Sequence, residues 1–345
     1  MVVGEPVGGK LPPAVLEKLV LSRQGARRRE VLRGSGIGVD AAVLQLGGGT
    51  CVFSVDPITG GTGRMGELCI YVACNDLAAA GAEPVAVGIT LLVPAPLGEE
   101  YVAEFMAEAD AACQKLGVAI AGGHTELVPG LPAPLVCVAA LGQPWPGCGL
   151  PPGPQPGDAL VLTKGAGIEG AAILATDFPD RLQALLAGEL LAEGGAAGDL
   201  LARARSLFDS LSVLPEARIA AARGANAMHD VTEGGVLGAV WEMVHSAGLG
   251  VEVWEQAVPV PAEVGAICRV LGLDPLRLVS SGSLLVAAAD GEALVSALAD
   301  AGIGAAVVGR ITPAGRWLVR ENGAVPIEPP EGDELWRARD MLSRR

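Results

Sequence analysis

GQPWPGCGLPPGPQPG, residues 142–157, is the stretch on which the fold turns. Its prolines carry no backbone N–H and its glycines bring no side chain to pack, so no helix or central strand persists through it. It divides the 345 residues almost in half. At roughly 150 residues per domain this is a two-domain chain, with domains expected over residues 1–145 and 156–345.

The pattern on either side is of one kind. Upstream, β-type runs at 41–46, 50–55, 84–93 and 135–141 alternate with helical periodicity at 70–80 and 99–116. Downstream, strands are expected at 159–163, 251–254, 283–289 and 305–311. Helical patterns fall at 171–208 (broken by glycines), 214–224, 236–247, 262–271 and 292–301. Both halves therefore read as α/β (α+β).

Composition narrows the function classes. Lys and Arg number 24 against 39 Asp and Glu, a net charge of −15. Nucleic acid and anionic membrane surfaces need clustered basic residues and are excluded as partners, whereas a nucleotide carrying its own Mg²⁺ is allowed. Half the residues are apolar, and with only four Phe, two Tyr and five Trp the core must be built from Ala, Val, Leu and Ile. The longest uncharged stretch, 127–157, contains nine prolines and spans no membrane. Met1–Lys10 has no basic region followed by an apolar one, so a cytoplasmic protein is expected, its seven scattered cysteines reduced.

Chemistry concentrates where polar residues interrupt apolar runs. Lys164-Gly-Ala-Gly-Ile-Glu-Gly170 fits the G-x-G-x-x-G spacing between a strand and a helix. No second strand ending in an acidic residue follows about 20 positions later, as a dinucleotide fold requires. A glycine turn for close packing, or a phosphate or substrate contact, are the alternatives. Asp40 follows Gly-Ile-Gly-Val, Asp56 ends a β-type run before Pro57, and Asn75-Asp76 sit in an Ala-rich helix. Three carboxylates in apolar surroundings need a partner, and a hard cation with oxygen ligands is one. Gly122-Gly123-His124-Thr125-Glu126 follows an apolar strand, and its double glycine is read as a turn that lets backbone amides approach phosphate. Asp230-Val-Thr232-Glu-Gly-Gly235 precedes a helix start suited to an anion. Of His229-Asp230, Asp230 is read as a metal ligand, while His229 is left between a structural and an acid/base role. His245 is placed at a helix C-terminus.

In this order the motifs Gly8-Gly9-Lys10, Gly-Ile-Gly-Val-Asp40, Asp56, Asn75-Asp76-Leu-Ala-Ala-Ala-Gly-Ala, Gly-Gly-His124-Thr-Glu126 and Asp230-Val-Thr-Glu-Gly-Gly resemble the aminoimidazole ribonucleotide synthetase (PurM-like) superfamily. That group includes selenophosphate synthetase, thiamine-monophosphate kinase, formylglycinamidine synthetase and the hydrogenase maturation protein HypE. The resemblance spans about Gly8 to Pro330 and implies an N-terminal sheet that closes a shared barrel in a homodimer, with ATP and Mg²⁺ bound by the N-terminal domain near that interface. It implies Asp40, Asp56, Asp76, Glu126 and Asp230 as metal ligands. Gly9, Asn75, Gly122, Gly123, His124, Thr125 and Thr232 are implied at the nucleotide. Lys10 and Asp230 are implied in catalysis, Lys10 by offsetting charge on the transferred phosphoryl group. A histidine at position 124 departs from the Gly-Gly-Asp-Thr or Gly-Gly-Glu-Thr of most members.

Within the superfamily the HypE branch is the nearest resemblance, through the Asn-Asp-Leu-Ala helix, Val279-Ser-Ser-Gly-Ser-Leu-Leu-Val286 and Glu328-Pro-Pro-Glu-Gly-Asp333. HypE ends in Pro-Arg-Ile-Cys, whose thiol carries the carbamoyl group that is dehydrated; here no cysteine follows Cys268. The selenophosphate synthetase reading is disfavoured because no Cys stands beside Lys10. The expected function is HypE-like, Mg²⁺- and ATP-dependent phosphorylation of an oxygen on a small acyl, amide or phosphate-bearing substrate, free or protein-linked. The alternatives are a non-catalytic ATP-binding maturation or assembly factor with a maturation-complex partner, and a thiamine-monophosphate kinase-like enzyme.

Overall fold

The structure is a computed structural model and describes residues 10–58, 63–190 and 197–344. Gly9, a residue implied at the nucleotide, lies outside them. The described chain opens with helix α1 (Pro13–Leu16) and one π-helical turn (Glu17–Leu21). Strands β1 (Val31–Arg33), β2 (Ala42–Leu46) and β3 (Gly49–Ile58) lead to helix α2 (Met65–Ala79). Then come β4 (Ala82–Pro94), α3 (Gly98–Leu116), β5 (Ala119–Val128) and β6 (Leu135–Pro144). These strands form a mixed sheet ordered β1-β2-β3-β6-β4-β5, in which only the β4–β5 pair is parallel.

Helices α2 and α3 cover one face of this sheet, and the sequence shows it as alternation. Val136, Val138 and Ala140 of β6 are buried, while Leu141 is 43 % exposed on the other face beside Val55 of β3 (47 %) and Val85 of β4 (48 %). The same period of two turns Val52, Ser54 and Asp56 of β3 to one side, and that side meets α2.

The second half begins with β7 (Ala159–Thr163), followed by α4 (Ile168–Asp177), α5 (Pro179–Leu190), α6 (Ala197–Ser206) and α7 (Leu214–Ala222). It continues through β8 (Ala227–Asp230), α8 (Gly235–Ala247), β9 (Gly250–Trp254), α9 (Ala262–Leu271), β10 (Leu284–Ala288) and α10 (Gly291–Asp300). Strands β11 (Ala305–Thr312), β12 (Arg316–Arg320) and β13 (Gly323–Pro326) and helix α11 (Glu334–Ser343) complete the described chain. The sheet, ordered β13-β12-β9-β11-β7-β10-β8, is mixed, with β9–β12 its parallel pair. Here both faces are covered: Leu160 and Leu162 pack with α8, and Val161 between them packs with α7 and α10. That is why β10 is buried at every residue and reads as an unbroken apolar run.

The expected two-domain α/β architecture is what the structure shows, and α2 joins the halves. Leu68, Cys69, Val72 and Leu77 share one core with Ile173, Leu174 and Leu182, while Ala78 and Ala79 pack with Val213 and Met228 of the second half. One expectation about the elements needs correction. Gly122-Gly123 is not a turn: β5 continues through it with a register shift just before Gly122, where Val87 pairs with Ile120 and Gly88 with Gly122, and Gly123 (φ +149°) is needed because a Cβ there would strike the backbone of Ile89 on β4. Of the alternatives for the Lys164–Gly170 turn, close packing is the one its backbone partners support. Gly167 (φ +73°) precedes α4, the Ile168 N–H is taken by Ser280 Oγ at 3.1 Å and the Gly170 N–H by the Val279 carbonyl at 2.9 Å. All seven cysteines are free, and burial pushes the Cys113 thiol up to about 11 and that of Cys268 up to about 12.

Candidate active site

A cavity of about 710 Å³ opens between the two halves, lined by the loop before β2, the end of β3, α2, the start of α4, the end of β8 with the turn after it, and residues 330–336. Eight carboxylates reach it: Asp40, Asp56, Asp76, Glu169, Asp230, Glu233, Glu242 and Asp333. Among the described residues its basic side chains are Lys10 and His229 alone.

Each acid is delivered by a local feature. Gly38 (φ +70°) lets the loop lie on α8, where any side chain would meet the Glu242 carbonyl, and this sets Asp40 beside that helix. Asp76 comes from α2 and is bonded to Ser54 of β3. Asp230 ends β8 opposite Leu284 of β10, and its Oδ2 is buried without a hydrogen-bond partner among the described residues. Gly234 and Gly235, both at positive φ, turn the chain from there into α8.

His229 is the hub. Its Nδ1 lies 2.7 Å from Asp40 Oδ1 and 3.9 Å from Asp230 Oδ1, and its Nε2 is 3.1 Å from Glu242 Oε2. Burial alone would depress the imidazole, but Asp40, Asp230 and Glu242 reverse this and hold it well above its ordinary value, so it is a cation here. Burial lifts Asp40 to about 6 despite that cation. Asp76 is pushed well above the usual carboxylate range by burial, then by Asp230 and Asp56. Glu242 stays below its ordinary value, because His229 and Lys10 outweigh burial. The Lys10 side chain is half exposed, and its Nζ lies 3.1 Å from Thr232 Oγ1 and 3.9 Å from Glu242. Glu233 ties the chain ends together, accepting from the Lys10 backbone N–H at 3.1 Å and from Trp336 Nε1 at 3.2 Å.

Mutually repelling acids at this depth, with an Asp230 oxygen that has no hydrogen-bond partner among the described residues, suit a hard cation. One carboxylate oxygen each from Asp40 and Asp230 lies within 4.8 Å of the other, with the His229 imidazolium beside them as countercharge and not as a ligand. The residues present therefore fit Mg²⁺, with oxygens available from Asp40, Asp56, Asp76 and Asp230.

The structure thus brings together Lys10, Asp40, Asp56, Asp76, Asp230 and Thr232. It does not bring Asn75 to the cavity. Successive helix residues point about 100° apart, and while Asp76 faces the acids, the buried Asn75 donates to the Leu211 carbonyl at 2.8 Å and accepts the Val213 N–H at 2.9 Å. Gly122, Gly123, His124, Thr125 and Glu126 also lie elsewhere, exposed on the edge strand β5, with His124 and Glu126 paired to each other at 3.5 Å. Sequence reading left His229 undecided because neighbours on a strand normally face apart; at the end of β8 both His229 and Asp230 reach the cavity. It missed Glu242, whose signal is a lone carboxylate in the apolar run 236–244, and Glu169 and Asp333.

Two family models cover the chain: AIR synthase related protein, N-terminal domain, over residues 38–143, and its C-terminal domain over residues 155–319. A carbamoyl dehydratase HypE of Rhodobacter capsulatus is 32 % identical over 83 % of this chain and 82 % of its own. A putative hydrogenase expression/formation protein of Methanocaldococcus jannaschii is 27 % identical over 96 % and 97 %. Among solved structures, that of a HypE–HypF complex superposes with a TM-score of 0.73 at 18 % identity, covering 92 % of this chain and 100 % of the other. A HypE in complex with ATP gives 0.65 at 19 %, covering 90 % of each. The chain belongs to the AIR synthase-related family, among the relatives of the hydrogenase maturation protein HypE.

Proposed function

We propose that this chain is a HypE-like enzyme that uses ATP and Mg²⁺ to phosphorylate an oxygen of a small acyl or amide substrate. The observation that carries the reading is the gathering of Asp40, Asp56, Asp76 and Asp230 on one cavity with a buried, unpartnered carboxylate oxygen. The HypE solved with ATP supports the nucleotide. Bound there, Mg²⁺ offsets charge on the β- and γ-phosphates. Residues 1–145 supply Lys10 and three of the acids, and residues 156–345 supply Asp230 and Thr232. The half-exposed Lys10 side chain places its ammonium on the cavity, where it offsets charge that develops on the transferred group, and Thr232 holds it at rest. His229 keeps Asp40 and Glu242 in place and serves as their countercharge.

Homodimerisation belongs to this proposal. The uncovered sheet face with Val55, Val85 and Leu141 and the free edge of β5 support it, and an interface there gives Gly122, Gly123, His124, Thr125 and Glu126 a place near the bound nucleotide. No cysteine occurs in residues 269–345, so no thiol of that stretch carries the group to be activated. A maturation partner is supported by the HypE–HypF complex of the relative.

The test is ADP release from Mg-ATP across a panel of small amides and acyl compounds, with the wild-type chain and Asp230→Asn. Release stimulated by one compound and lowered about a hundredfold in the variant is expected. Equal release from both proteins contradicts the reading.

A further inference from the structure

One exposed segment carries a charge opposite to that of the rest of the molecule. Residues 18–33 hold six of the 24 basic side chains (Lys18, Arg23, Arg27, Arg28, Arg29 and Arg33) and, in Glu30, one of the 39 acidic ones. That gives +5 here and leaves 18 basic against 38 acidic side chains elsewhere, a balance of −20. Glu30 offsets only part of the local repulsion: it takes Arg28 at 3.0 Å and Arg29 at 3.6 Å, with the Arg29 side chain 94 % exposed. Among the described residues Lys18, Arg23, Arg27 and Arg33 meet no acid; Arg23 donates to the Leu19 carbonyl at 2.8 Å and Arg33 to that of Pro151 at 3.3 Å. Apolar side chains stand among these cations. Leu19, Val20, Val31 and Leu32 are all exposed, Leu32 the most at 60 %. Strand β1 is an edge of the first sheet and pairs only with β2, over a shifted register. The chain on both sides of the segment lines the cavity, Leu16 before it and Gly36 to Asp40 after it.

We propose that residues 18–33 are the docking site of a partner protein, which lays an extended acidic segment with interspersed aliphatic residues along β1. Its carboxylates meet the arginines, its aliphatic side chains cover Leu19, Val20, Val31 and Leu32, and its backbone pairs with the open edge of β1. A nucleic acid fits less well. Residues 18–33 contain no Phe, Tyr or Trp on which bases stack, and a polyanion longer than the patch runs onto a surface whose balance is −20. Docking here sets the partner beside the cavity, and it does not depend on the phosphoryl-transfer reading.

The test is a titration of the full chain, without nucleotide, into two fluorescein-labelled peptides, one alternating Glu and Val and the other Lys and Val, read by fluorescence anisotropy. The Glu–Val peptide is expected to bind, less tightly as salt is raised, and the Lys–Val peptide not to bind. Arg27→Glu combined with Arg29→Glu leaves the Arg28–Glu30 pair in place and is expected to weaken binding about tenfold or more with Tm unchanged. Leu32→Ser is expected to weaken it as well, which a purely ionic contact would not show. Binding of the Lys–Val peptide, or of the Glu–Val peptide equally by all three proteins, overturns the docking site. Labelled oligouridylate or phosphatidylserine vesicles that bind as tightly as the Glu–Val peptide, and are released by the double substitution, give the patch to nucleic acid or membrane and overturn it too. Light scattering is expected to give wild type and the double variant the same mass; a smaller mass in the variant gives the patch to a second copy of this chain and overturns the proposal.

Discussion

Glu169, Asp40 and Asp333 all have folded-state values above their ordinary ones of 4.5, 3.8 and 3.8, at about 7, 6 and 6. In each, burial is the largest cause. A carboxyl with a raised value binds its proton more tightly when folded, so its contribution is complete below the unfolded value and lost as pH rises through the folded one. Without metal, the protein is therefore expected to lose stability between pH 4.5 and pH 8. Glu169→Gln removes one such group. Since each unit is worth about 1.4 kcal/mol, the variant should exceed wild type by on the order of 3 kcal/mol at pH 8 and by much less at pH 4.5. Urea unfolding in EDTA at the two pH values measures this, and equal differences at both would refute the assignment. At this scale the sequence was legible in part. Asp40, Asp56, Asp76 and Asp230 stand out because an acid in an apolar run has few reasons to be there. Glu169 was hidden within a glycine motif that suggested a different chemistry, and Asp333 within a tail that has no apolar periodicity.

Helix α2 shows how an element divides its labour. Asp76 faces the cavity and its neighbour Asn75 clips the segment 211–213, with both amide atoms committed to backbone partners. Asn75→Ala strands a buried carbonyl and a buried N–H, at a cost of about 2–4 kcal/mol. The expectation is a lower Tm with ATP affinity retained in the folded protein. An unchanged Tm with lost ATP binding would return Asn75 to the nucleotide, where the family resemblance had placed it. Composition and period gave the helix but not its rotation, because α2 is buried on nearly every side and carries no polar stripe to orient it. Strands β7 and helix α9, by contrast, were legible to the residue, since apolar runs bounded by glycine, proline or polar residues leave little freedom at either end. Strand β5 is longer than the sequence suggests because Gly122-Gly123 looks like a turn, and only its pairing with β4 shows that Gly123 serves close approach.

At the scale of the molecule, two sheets meet along α2 and the acids collect in the cleft between them. None of the helices among the described residues is long and apolar enough to cross a membrane. The uncovered apolar face of the first sheet predicts a solution mass near twice 34.7 kDa. Light scattering at low micromolar concentration checks it, and Leu141→Lys, which puts a charge on that face, is expected to shift the mass to that of a monomer. Two separate α/β halves were legible from the proline-rich stretch, whereas the cleft was not, since no local pattern records which loops of one half face which loops of the other.

Binding of ATP by the carboxylate cavity through a divalent cation is read by calorimetric titration of ATP into wild type and Asp76→Asn, with Mg²⁺ and with EDTA. Asparagine keeps a hydrogen-bond acceptor for Ser54 and removes the repulsion from Asp56 and Asp230, so the variant is expected to stay folded. ATP binding by wild type is expected to require Mg²⁺ and to be weakened about tenfold or more in Asp76→Asn. Binding of equal strength in EDTA, or equal in the two proteins, would contradict it.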